Sequence, residues 1–255
     1  MRAGANIRET QDRGDYARRD PLSKQFHRRA ILYTRPTAIM HIDFWADPIS
    51  PYVYIAWHRL QALRARRPEV TITVRPILFA ALLAHTGQLG PAEIPSKRVF
   101  TFKDVWRRCA EHQIPVQGPR THPFNPLLAL RSVTAAAEAD RERALGAVLA
   151  AGWAHGHDLA DPAAISDALT AAGLDGPALV AAASDPIIKQ ALVDATKQAI
   201  DRGVFGVPTF GVADELVWGQ DRIGDVEAIL AGRDRIDPEV LAAVLARPAG
   251  ATRPR

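Results

Sequence analysis

The sequence predicts an α/β protein in which a strand-helix-strand unit and a strand-strand-helix unit are separated by a large all-helical insertion. Three observations carry this. An apolar run near residues 39–45 precedes an amphipathic segment and then the β-branched run Val70-Thr71-Ile72-Thr73-Val74. From residue 77 to about 203 the pattern is mostly helical, broken by glycine and proline. After Gly203 strand texture returns at residues 208–212 and 215–218, with Ala213-Asp214 between them as a hairpin turn, and Asp221 opens a further helix.

Taken in order, residues 1–37 read as a flexible basic extension. Within the first 36 there are nine Lys or Arg against four acids, with no sustained period on which to build a helix or strand. Residues 38–78 form one half of the core. Its strand covers about 39–45, its helix about 51–66 with Arg64 and Arg66 suited to the C-terminal dipole, and its second strand ends at Pro76. Ser50 stands directly before Pro51 and reads as a helix N-cap, since a serine hydroxyl there accepts from an orphan backbone N–H and proline at the first helical position forfeits no bond.

The insertion, residues 79–203, starts with a short helix that stops near Gly87 and a loop over 88–95. A helix over 97–111 carries Cys109, which reads as a small core hydrophobe. Four prolines keep 114–126 irregular, and 127–153 reads as one long alanine-rich helix. Asp161-Pro162 and Asp185-Pro186 open helices that end at Gly173 and Gly203. His155 and His157 supply too few ligands for zinc, so no metal site is expected. Residues 204–232 complete the core, and 233–255 hold a last helix capped by Asp237-Pro238, then a fraying tail.

Composition narrows the function classes. Hydrophobic residues make up 47% and charged residues 24% of the 255, as in an ordinary globular chain. The net charge is +4, and the extension alone holds an excess of five positive charges (nine minus four). The body is therefore near neutral, which argues against nucleic acid as a partner. No stretch reaches the ~20 apolar residues of a membrane helix. A single cysteine excludes an intramolecular disulfide, and the cytoplasm is the expected compartment.

Three separated motifs carry a resemblance: Ser50-Pro51-Tyr52 after the first strand, Gly206-Val207-Pro208-Thr209 before the third, and Trp218-Gly219-Gln220-Asp221-Arg222. Their order resembles the 2-hydroxychromene-2-carboxylate isomerases and kappa-class glutathione transferases, which have a thioredoxin-like core of DsbA type. The resemblance covers residues 39–230. It implies glutathione as cofactor, with Ser50 as the catalytic residue whose hydroxyl holds the glutathione sulfur as thiolate. It implies a cis bond before Pro208, leaving the Val207 backbone free to pair with the tripeptide. Gln220 and Asp221 would hold the γ-glutamyl end. Gln88 stands where the family commonly has asparagine, one methylene longer, and Lys97 would meet the glycyl carboxylate.

The implied activity is a glutathione-dependent cis-trans isomerisation of a small aromatic substrate through a thiolate adduct. The same thiolate serves a kappa-like transferase or peroxidase, and a non-catalytic module binding extended peptides beside Pro208 is the alternative from another class. Members usually begin near the first strand, so the resemblance also suggests Met40 as the start and the upstream residues as dispensable. Oligomeric state stays open, a homodimer included.

Overall fold

A computed structural model describes residues 40–248 and 250. The predicted extension, residues 1–37, lies outside the described residues. The first strand, β1, is His41–Ala46, followed by helix α1, Pro51–Arg66, and strand β2, Thr71–Pro76. A parallel pair cannot be joined by a tight turn and requires a crossover. Here α1 is that crossover, and β1 and β2 pair in register from His41↔Thr71 to Ala46↔Pro76. The chain returns to the sheet in β3, Thr209–Val212, and β4, Glu215–Trp218, an antiparallel hairpin turned at Ala213, whose φ is +55°. The strand order is β2-β1-β3-β4.

The central position of β1 explains its composition. It is covered on both faces, so Ile42, Phe44, Trp45 and Ala46 are all buried instead of alternating with polar residues. Phe44 stacks on Trp57 of α1 and on Phe210 of β3, at ring separations of 6.2 and 5.3 Å. Asp43 is the polar exception, satisfied by Arg75 at 2.9 Å and Arg202 at 3.3 Å.

Between the two halves of the sheet run α2 (Phe79–Thr86), α3 (Pro95–Glu111), α4 (Leu127–Ala135), α5 (Arg141–Leu149), α6 (Pro162–Ala171), α7 (Gly176–Ala182) and α8 (Pro186–Asp201). Two more follow the hairpin, α9 (Ile223–Leu230) and α10 (Pro238–Leu245). The aspartate-proline starts work as capped helix ends: Asp161, Asp185 and Asp237 each accept a backbone N–H from the first turn. Cys109 is fully buried in α3.

The long helix expected over 127–153 is corrected by the structure. The chain leaves helical geometry at Ala136 (φ −65°, ψ 144°), makes a 3-10 turn at Glu138–Asp140, and restarts as α5. Helix propensity reads only local preference, and the break is stabilised by a side chain the pattern does not reveal. The guanidinium of Arg141 donates to the carbonyls of Ala136 and Thr134, both at 3.2 Å, satisfying acceptors that the end of α4 leaves open. Beyond α5 a π-helical turn, Ala150–Ala154, carries the fully buried Trp153.

Candidate active site

The loop between β1 and α1 is fixed from three sides. Asp47 is fully buried, and its two carboxylate oxygens accept from the backbone N–H of Ile49 at 3.0 Å and of Phe79 at 2.9 Å. Burial pushes the Asp47 carboxyl up to about 7, against the lowering effect of those two bonds. The Pro48 carbonyl accepts from the indole Nε1–H of Trp153 at 2.9 Å. The Ile49 carbonyl accepts from Nε2 of His122 at 2.9 Å. Ser50 follows, with extended backbone angles (φ −87°, ψ 120°) at the N-cap of α1.

The expected side-chain cap at Ser50 is not made. Its hydroxyl forms no cap bond, although the residue is only 8% exposed. The backbone does the capping: the Ser50 carbonyl accepts from Val53 and Tyr54, and the Ser50 N–H closes a turn on the Asp47 carbonyl. Pro51 has no N–H, and the Tyr52 N–H has no partner among the described residues. The start of α1 therefore offers a hydroxyl and an amide, both uncommitted, at the positive end of a 16-residue helix.

The second loop meets this one across the sheet. Trp45 pairs with Thr209, so the chain leaving β1 passes the residue that enters β3, Pro208. The Val207-Pro208 peptide is cis. Among the described residues the Val207 N–H and C=O carry no hydrogen bond, whereas the Pro208 carbonyl accepts from Gly219 at 3.0 Å. That bond ties the third motif to the second. Gly219 has φ +114°, a conformation that L side chains rarely adopt, so this turn favours glycine.

Gln220 is buried, and Arg59 of α1 donates to both its backbone carbonyl and its side-chain oxygen. Its amide nitrogen is the group left for a ligand. Asp221 is exposed and pairs with Arg222 at 3.5 Å; the cap of α9 falls to Arg222, so Asp221 does not cap that helix. Tyr52 links the start of α1 to the insertion. Its hydroxyl donates to Asp104 of α3 at 3.0 Å, and burial, then Asp104, then more weakly Asp221 raise its pKa above the ordinary phenol value, opposed by a hydrogen bond to Thr101. Tyr52 is therefore a proton donor in a hydrogen bond, not a base.

The structure thus brings Ser50, Val207, Pro208, Gln220 and Asp221 to one end of the sheet. Gln88 and Lys97 are exposed on the insertion. Gln88 follows the left-handed Gly87 after α2, and Lys97 lies in the first turn of α3. Neither has a hydrogen bond or ion pair to the five site residues among the described residues. Two surface grooves, of about 860 and 530 Å³, are lined by the β4–α9 face and by the α1–α9 face with His112, and neither includes Ser50 or Val207. Free hydrogen-bonding groups mark the site better than these grooves do.

The DSBA-like thioredoxin domain family matches residues 41–231. The chain belongs to that family. 2-Hydroxychromene-2-carboxylate isomerase of Sphingobium xenophagum is 30% identical to it over 191 residues, covering 74% of this chain and 97% of that one. Glutathione S-transferase kappa 1 of Caenorhabditis elegans is 26% identical over 183 residues, covering 68% and 81%. A solved structure of 2-hydroxychromene-2-carboxylate isomerase shares the fold with a TM-score of 0.68 at 26% identity, covering 81% of this chain and 100% of that one.

In this DsbA-like protein the start of α1 reads Ser50-Pro51-Tyr52-Val53, with no thiol. The lone Cys109 is buried in α3, and burial pushes its thiol up to about 11. Disulfide exchange needs an accessible thiolate, so this protein cannot perform it at α1 by itself. His122, Trp153, Asp47 and Arg59 were not identified as site residues in the sequence. Asp47-Pro48 carries a turn signal that could have pointed to Asp47, but His122 and Trp153 lie 73 and 105 residues from the carbonyls they hold, and no local pattern connects them.

Proposed function

We propose that this protein is a glutathione-dependent isomerase of the 2-hydroxychromene-2-carboxylate type, acting on a small aromatic substrate. The observation that carries the reading is Ser50, a largely buried residue at a helix N-terminus whose hydroxyl makes no cap bond, at the same end of the sheet as a Val-Pro turn with free backbone groups. The residues fit the tripeptide. The Ser50 hydroxyl and Tyr52 N–H would hold an anionic sulfur, the Val207 N–H and C=O would pair with the cysteinyl backbone as an added strand does, and Asp221 with the Gln220 amide would take the γ-glutamyl end. Gln88 and Lys97, exposed on the insertion, would take the remaining contacts with this ligand.

Bound glutathione supplies a thiolate that adds reversibly to an unsaturated carbon, turning a stiff double bond into one that rotates. The protein's part is to keep that sulfur ionised. A hydroxyl donating to the charged form and the positive end of α1 both lower a thiol pKa. The names and similarity of the isomerase relatives support this choice of reaction, and the kappa-class relatives support the cofactor. A kappa-like transferase or peroxidase is the second reading, favoured by the same relatives.

The test follows 2-hydroxychromene-2-carboxylate with substoichiometric glutathione. Many product molecules per glutathione, and none without it, are expected of an isomerase. One conjugate or half a disulfide per glutathione consumed would identify the transferase or peroxidase, and glutathione binding without either reaction would point to a binding module.

A further inference from the structure

The carbonyl groups of Pro48 and Ile49 sit beside the N-terminus of α1, where an anion is to be held. A carbonyl oxygen carries partial negative charge and opposes an anion as directly as an N–H favours it. Both carbonyls are occupied from the insertion, by Trp153 Nε1–H and His122 Nε2. We propose that His122 is a positioning residue that, with Trp153, ties these carbonyls into the insertion and leaves the Ser50 hydroxyl and the Tyr52 N–H facing the glutathione sulfur. The inference rests on the glutathione reading above.

The environment of the imidazole fits a donor of this kind. The Ile49 carbonyl can only accept, so Nε2 carries the hydrogen and a neutral ring leaves Nδ1 as a bare acceptor. Nδ1 is buried without a partner among the described residues. The ring is packed edge-on against Phe102 at 5.2 Å and Trp153 at 5.6 Å, with Phe124 at 6.2 Å. Were His122 there for packing alone, phenylalanine would fill the same aromatic cluster without an unsatisfied acceptor. What phenylalanine lacks is the Nε2–H.

The charged group beside the ring also favours the neutral donor. Arg98 of α3 donates to the His122 carbonyl at 3.1 Å and lies over the Phe102 ring at 5.5 Å. Burial lowers the imidazole pKa, opposed by the bond to Ile49 and seconded by Arg98. Either protonation state of the ring keeps the Nε2–H that the Ile49 carbonyl accepts.

The test is the pH at which the thiol of bound glutathione ionises, followed by thiolate ultraviolet absorbance on the full chain saturated with glutathione, alongside melting temperature. His122→Ala should move the midpoint up by about one pH unit, roughly tenfold less thiolate at a pH below it. His122→Gln, whose amide can donate from near the Nε2 position, should restore most of the shift. A residue that only stabilises the fold would lower the melting temperature and leave the midpoint where it is, and that result in His122→Ala overturns the proposal. If that variant does not fold, Trp153→Phe, which removes the donor to Pro48, decides: an upward shift supports the clamp, and an unchanged midpoint overturns it. A wild-type chain that binds no glutathione would overturn the cofactor reading and this inference together, whereas a wild-type chain that ionises the thiol with both variants unaffected overturns this one alone.

Discussion

Replacing Ser50 by alanine should separate function from stability, because the hydroxyl makes no cap bond and has no partner among the described residues. An N-cap serine whose side chain does bind the first turn contributes about 1 kcal/mol. Ser50→Ala should therefore cost only a few tenths of that scale. Asp161→Ala is the internal control: its carboxylate accepts from the Ala163 N–H at 3.0 Å, so it should cost the full ~1 kcal/mol, about 2 to 4 °C for a chain of this size. The thiolate is a different matter. A hydrogen bond to a charged group contributes about 1.5 to 3 kcal/mol, and each pKa unit corresponds to about 1.4 kcal/mol. Losing the Ser50 hydroxyl should then raise the midpoint of the bound thiol by about one to two units and slow turnover at neutral pH about ten- to a hundredfold. Melting curves of both variants and a pH–rate profile of Ser50→Ala check this. A Ser50→Ala chain that melts like Asp161→Ala but keeps the wild-type profile would show that the hydroxyl is a structural cap after all.

Three further outcomes are expected. Asp221→Ala should weaken glutathione binding measured by calorimetry, because the ligand ammonium loses its charged partner; unchanged affinity would remove Asp221 from the site. Asp47 titrates at about 7 in the fold against 3.8 unfolded, so the folded state takes up the proton more readily and the stability this confers is lost as pH rises from 3.8 to about 7. The melting temperature of wild type should accordingly fall relative to that of Asp47→Asn across this window, and a constant difference would refute the raised value. Gly211→Ala would place a Cβ 2.7 Å from the Trp45 ring, and overpacking of this kind should cost about 1 to 3 kcal/mol in denaturant unfolding, where a neutral effect would mean that the ring moves freely.

The elements were legible wherever local chemistry decides them. Asp161-Pro162, Asp185-Pro186 and Asp237-Pro238 cap by bonds that reach only two or three residues along the chain, and a sequence shows such spacings directly. The central strand β1 was readable from its apolar residues Ile42, Phe44 and Trp45, and the hairpin from its two-residue turn. The break at Ala136 was not, since Arg141 stabilises it through backbone carbonyls that carry no sequence signal. Ser50 shows the same limit at the site. Its type and place before Pro51 were visible, but whether its hydroxyl caps depends on the loop geometry set by Asp47, His122 and Trp153, and two of those three come from the distant insertion. Arg59 on Gln220 is likewise a contact across 161 residues.

The most direct measurement is a crystal structure of the full chain with glutathione. The account predicts the sulfur within hydrogen-bonding distance of the Ser50 hydroxyl and the Tyr52 N–H, the cysteinyl backbone paired with Val207, and the γ-glutamyl ammonium at Asp221. Glutathione bound elsewhere, with the Ser50 hydroxyl turned back onto an amide of its own helix, would contradict it.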